Sequence, residues 1–119
     1  MYYESLALMT ILDFTAQGPT RELASAIEQL ALDRRAVTAL VVPWESDAET
    51  TRMAVTATKG EGWAIEHTNL GTITLTDLGN DATRVAIAAH EPDHSEKSRL
   101  LALFDRFARQ LEHELAAAP

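Results

Sequence analysis

The chain has 119 residues, 46% hydrophobic and 24% charged, with 18 acidic against 10 basic side chains and a formal net charge of −8. That length holds one domain with a modest core, so residues 1–119 are read as a single domain. The acidic balance excludes a nucleic-acid backbone or an anionic membrane surface as the main partner, since both need a positive footprint, and the absence of cysteine removes disulfides, thiolate catalysis and thiolate-bound zinc.

Met1 to Leu12 is apolar, but it has no basic leader region, carries Glu4 and shows no small-residue cleavage site, so it does not read as a secretory signal. No stretch approaches the ~18 apolar residues of a membrane helix. The expectation is a cytoplasmic protein without membrane insertion. Within Glu4–Thr15, Leu6, Leu8, Leu12 and Phe14 share one parity, which suits a strand; the Leu, Ala and Met content leaves a helix open. The sequence AQGP then breaks the chain.

From Thr20 the period changes. Leu23, Ala26, Ile27, Leu30 and Ala31 follow the spacing of an amphipathic helix. Thr20 is the expected N-cap, Glu22 suits the first turn, and Arg34 and Arg35 suit the last. Thr38–Trp44 is apolar on both parities, and its Pro43 belongs at a sheet edge or a bulge.

The middle of the chain alternates with period two. Met53, Val55 and Ala57 oppose Arg52, Thr56 and Thr58; Trp63, Ile65 and His67 oppose Ala64, Glu66 and Thr68; Ile73 and Leu75 oppose Thr72, Thr74 and Thr76. The odd phase runs through Asn69-Leu70-Gly71, which predicts one strand bent near Gly71, or two strands without a register change. Val85, Ile87 and Ala89 complete the inward set. ESDAE, KGEG and LGND are the turns of an antiparallel meander. At the end, Leu100, Leu103, Phe104, Phe107, Leu111 and Leu115 form a stripe. A helix from about Ser95 to Ala117 is ~35 Å long, enough to cross the sheet.

His90–His94 reads HEPDH and matches the zinc-protease pattern by letter. That chemistry needs both imidazoles one turn apart on a helix, with the glutamate as base. Pro92 stands inside the motif and biases Glu91 out of the helical region. A helix starting at Pro92, or at Asp93 with Glu96 closing a capping box, leaves His90 in the preceding strand. No metal site and no cofactor are expected.

His67 is the strongly polar side chain on the odd-parity face between Met53 and Ile73. It would orient a ligand or exchange a proton near neutral pH; the plainer alternative is a histidine bonded to a backbone group or wetted at the rim. Trp63 and Trp44 are candidate pocket aromatics or ordinary core and edge residues. Arg52 and Arg84 point outward with Glu66, as exposed cross-strand pairs. The opposite sheet face carries Ala54, Thr56, Thr58, Thr72, Thr74, Thr76, Ala86 and Ala88. These are small and uncharged, which suits either a plain exposed sheet or sheet-to-sheet contact in a homodimer.

Gly71–His90, GTITLTDLGNDATRVAIAAH, followed by Leu100–Leu115, LLALFDRFARQLEHEL, resembles the C-terminal half of SRPBCC proteins, the START/Bet v 1-like helix-grip group. Thr83-Arg84-Val85 stands where that group carries a TRV-like strand leading into the terminal helix. The chain departs from the group in having one helix between its first two strands, few strands and no glycine-rich loop between the early ones. The resemblance implies an α+β fold of order β-α-β(4–5)-α, a curved antiparallel sheet gripping a long C-terminal helix. It also implies an apolar small-molecule ligand, lipid or polyketide-like, held between them. Met53, Val55, Trp63, Ile65 and His67 would line that space, with Ile73, Val85, Ile87, Phe104 and Phe107. The other reading is a non-enzymatic dimeric interaction or structural module with a filled core. An enzyme using His67 is a third, with no partner residue in the sequence.

Overall fold

The computed structural model describes residues 8–34, 36–59, 63, 66–91 and 96–117. The elements are β1 (Leu8–Gln17), α1 (Thr20–Arg34), β2 (Val37–Val41), β3 (Thr50–Lys59), β4 (Glu66–Gly79), β5 (Ala82–His90) and α2 (Lys97–Leu115), with a short 3-10 turn at Pro43–Glu45. The fold is α+β. Its sheet has the order β1-β5-β4-β3-β2, and every neighbouring pair is antiparallel. β2 to β5 form the expected meander. β1 pairs with the last strand, so β1 and β2 lie at opposite edges, and α1 crosses the sheet to join them.

Both helices pack on one face. α1 lies mainly over β2, while α2 lies over β1, β4 and β5. α1 buries Leu23, Ala24, Ile27 and Ala31; Ala24, rather than the expected Ala26, completes its inner stripe. α2 buries Leu100, Phe104, Phe107, Ala108 and Leu111. These side chains meet Met53, Val55, Ile73, Leu75, Val85 and Ile87 in one core cluster. The helices join at Arg34, whose Nε donates to Gln110 Oε1 at 2.6 Å. The end of α2 is tied to β1, where Ala117 N donates to Thr15 O at 2.8 Å.

The β4–β5 hairpin turns on Asn80 and Asp81, with φ of 53° and 61°. Positive φ at both positions is what a two-residue primed turn requires, and Asn and Asp tolerate it at low cost. Asp77 caps this turn, its Oδ1 accepting from Gly79 N at 2.9 Å. Thr83, fully buried, donates its hydroxyl to Gly18 O at 2.9 Å and lies 3.3 Å from the Thr20 hydroxyl. The threonine of the TRV-like stretch therefore pins the β1–α1 turn to β5. Thr20 is thus not the N-cap. It is the first helical residue, and the Pro19 carbonyl accepts from Glu22 N and Leu23 N.

The strand phase does not run through Leu70. Val55 pairs with Gly71 and Thr56 with Asn69, so Leu70 is an extra residue on β4. Leu70 and Gly71 are both buried. One inserted residue turns everything upstream to the opposite face. Thr68 therefore shares the inner side with Ala57, while His67 pairs with Thr58 on the outer side.

Candidate functional site

The bulge decides the fate of the sequence-derived pocket. His67 is exposed on the outer face, its Nδ1 lying 3.5 Å from Thr58 Oγ1. It does not share a face with Ile73, which corrects the expectation drawn from parity. Trp63 is 99% exposed and does not join the core. Ile65 lies outside the described residues. The other seven come together. Met53, Val55, Ile73, Val85, Ile87 and Phe107 are 0% exposed and Phe104 1%. A side chain with no accessible surface touches no space wide enough for a water molecule, so these residues pack on one another.

The HEPDH motif begins at the end of β5. His90 ends β5 and α2 begins at Lys97, so its two histidines do not share a helix. Pro92 to His94 lie outside the described residues. α2 has Glu96 as its N-cap, with Oε1 accepting from Arg99 Nε at 2.9 Å; the Asp93 of the expected capping box lies outside the described residues. Among the described residues, no cluster of three or more metal-ligating side chains occurs.

Two surfaces remain. The first is the outer sheet face, which carries neither helix. Across β3, β4 and β5, Ala54, Thr72 and Ala88 stand in one row and Arg52, Thr74 and Ala86 in the next, while Thr56 pairs with Asn69. The charges on this face are paired within the chain. Arg84 pairs with Asp13 across β5 and β1, Nε to Oδ1 at 3.0 Å. The hydrogen bonds from Arg84 hold the Asp13 carboxyl below its usual range, and Asp13 in turn raises Arg84. Arg52 lies 3.7 Å from Glu45. Both arginines point outward as expected, with Asp13 and Glu45 as their partners.

The second is an open cleft of about 550 Å3 at one end of the sheet. The start of α1 forms one wall with Pro19, Thr20 and Arg21. The β4–β5 turn forms another with Asp77, Gly79, Asn80 and Asp81. Ala48 and Thr51 close a third side, and Ala24 and Val41 supply apolar surface. The β2–β3 connection is held by Asp47, whose Oδ1 accepts from Glu49 N and Thr50 N, each at 2.9 Å. Those two bonds lower the Asp47 carboxyl. Reading the sequence did not single out this cleft. Its walls come from residues about 20, 50 and 80, and no spacing within any one segment signals their meeting.

Among the described residues, no helix is long and apolar enough to cross a membrane. Comparison with protein-family models, curated proteins and solved structures gives no match.

Proposed function

We propose that this chain is a non-enzymatic interaction module with a helix-grip-like architecture and a filled core. Two copies associate by packing their outer sheet faces together. The observation that carries the reading is the contrast between the two sides of the sheet. The inner side is closed by both helices, with core side chains at 0% exposure. The outer side carries mostly small, uncharged residues, and its Arg52, Arg84 and Asp13 are paired within the chain. A face on which charges are few and already paired suits a protein interface, whose core is depleted of charge. Alanine and threonine also let two sheets approach to the ~10 Å of face-to-face packing.

Charge and area favour a second copy as the occupant. Two chains of net charge −8 repel each other over most orientations. Many of the acidic groups sit away from this face: Asp47, Glu49, Asp77 and Asp81 at the sheet end, Glu22, Glu28 and Asp33 on α1, Asp105, Glu112 and Glu114 on α2. On the face, Asp13 is matched by Arg84 and Arg52 by Glu45, so it meets its own copy without net repulsion. Five strands about 4.8 Å apart, with ladders of about eight residues, give a face of roughly 24 by 27 Å, or about 650 Å2. A specific interface needs at least about 600 Å2 per partner.

Sedimentation equilibrium tests this. The wild type should run at twice the 13.0 kDa chain mass. Thr74→Lys, a charge at the centre of the face, should run as a monomer with an unchanged circular dichroism spectrum. Arg106→Glu, on the exposed side of α2, should remain dimeric. A monomeric wild type at about 100 μM overturns the reading. If, in addition, a fatty acid, an aromatic polyketide or an isoprenoid raises the melting temperature, the apolar-carrier reading implied by the SRPBCC resemblance replaces it.

A further inference from the structure

We propose that the cleft at the sheet end binds a small zwitterion of the amino-acid or dipeptide type. Its volume of about 550 Å3 lies within the ~300–1,000 Å3 of small-molecule sites. Three segments distant in sequence build it, and each is fixed by bonds of its own. The β1–α1 turn is held by Thr83 and by Gly18 N donating to Asp81 O at 2.6 Å. The β4–β5 turn is held by Asp77, and the β2–β3 connection by Asp47. The walls are thus set before any ligand arrives, which lowers the ordering cost of binding.

Opposite charges line the cleft without forming an ion pair. Arg21 stands on the α1 side; Asp77 and Asp81 stand on the hairpin side. None of the three forms an ion pair with a described residue, and Asp77 uses only Oδ1, on Gly79 N. The first turn of α1 adds donors to the Arg21 side. Glu22 N and Leu23 N are taken by the Pro19 carbonyl, while the amides of Thr20 and Arg21 have no intrahelical acceptor. The Thr20 hydroxyl is turned away to Thr83. A carboxylate therefore finds the Arg21 guanidinium beside the start of α1, and an ammonium finds the carboxylates of Asp77 and Asp81. Between them, Ala24 and Val41 offer apolar surface to a short side chain. A ligand of one sign would satisfy one wall and leave the other charge against it, so the site selects for both charges on one molecule.

Amide-resolved NMR titration with free leucine is the test. N-acetyl-leucine, lacking the cation, and leucinamide, lacking the anion, form the comparison arms. Saturable shifts centred on Thr20, Arg21, Asp77 and Asp81 are expected with leucine, with each blocked form binding about 10-fold more weakly or worse. Arg21→Gln and Asp77→Asn should each weaken leucine binding by a similar factor; the asparagine amide oxygen still accepts from Gly79 N, so the turn survives. No saturable shift at about 10 mM leucine overturns the proposal, as does equal binding of the three compounds. The Thr74→Lys chain should bind leucine normally, which separates this site from self-association.

Discussion

A Cβ at Gly71 would lie 2.8 and 2.9 Å from Cζ and Cε2 of Phe104, and closer still to the Ala88 carbonyl oxygen. The glycine lets the bulged strand, its neighbour β5 and the α2 aromatic converge at one point. Gly71→Ala should cost about 2–3 kcal/mol, the upper part of what overpacking a core costs, read as a drop in the urea midpoint. Adding Phe104→Leu removes the ring but not the backbone oxygen, so it should recover none or little of that loss; full recovery would mean the ring alone sets the limit. Asp47 gives a residue-scale effect that depends on pH. Its carboxyl is lowered from the ordinary 3.8 by the amides of Glu49 and Thr50. A carboxyl lowered by folding adds stability above its unfolded value, and loses it as pH falls through the folded one. Asp47→Ala should therefore lower the melting temperature at neutral pH, and the gap to wild type should narrow in scans run below pH 3.8. A gap that stays constant into acid would show that the carboxylate charge is not what holds this connection.

At the scale of elements, α2 gives the sharpest contrast. Phe107 is 0% exposed in the middle of its buried stripe, so Phe107→Ala should destabilise by ~3–5 kcal/mol. Arg106, one residue away and exposed, should tolerate alanine within ~0.5 kcal/mol. Similar losses in denaturant melts would mean that α2 does not dock by this face. The helix was legible because a period of 3.6 residues states which side is buried. The β5 strand was equally legible, since Thr83, Val85, Ile87 and Ala89 alternate with no insertion. β4 misled because period two carries no memory of phase across an extra residue. Leu70, apolar at an even position among outward threonines, and the glycine after it were the available signals of a bulge. Once the phase is reversed there, His67 leaves the candidate pocket. The cleft was illegible for another reason: Arg21, Thr51 and Asp77 each look like an ordinary helix start, strand start or turn cap until the sheet brings them to one end.

For the molecule as a whole, one core cluster collects side chains from both helices and all five strands. β1 contributes Ala16 to it, and its Ile11, Leu12 and Phe14 pack against the cluster as partly buried residues. The pairing of β1 with β5 joins the first and last strands of the chain. Such a sheet cannot lose one edge without exposing the shared core, so unfolding should be a single cooperative transition, as for most domains of this size. The tryptophans should nevertheless miss it. Trp44 is 84% exposed and Trp63 99%, so neither indole changes its solvent contact much when the core opens. Far-UV circular dichroism should show a sharp urea transition in dilute protein. Over the same range the tryptophan emission maximum should stay close to that of the free amino acid, and acrylamide should quench native and unfolded chains almost equally. A blue-shifted native emission that moves to the red together with the dichroism change would place an indole in the core. That result would contradict the packing in which Phe104 and Phe107, rather than a tryptophan, are the large aromatic groups between helix and sheet.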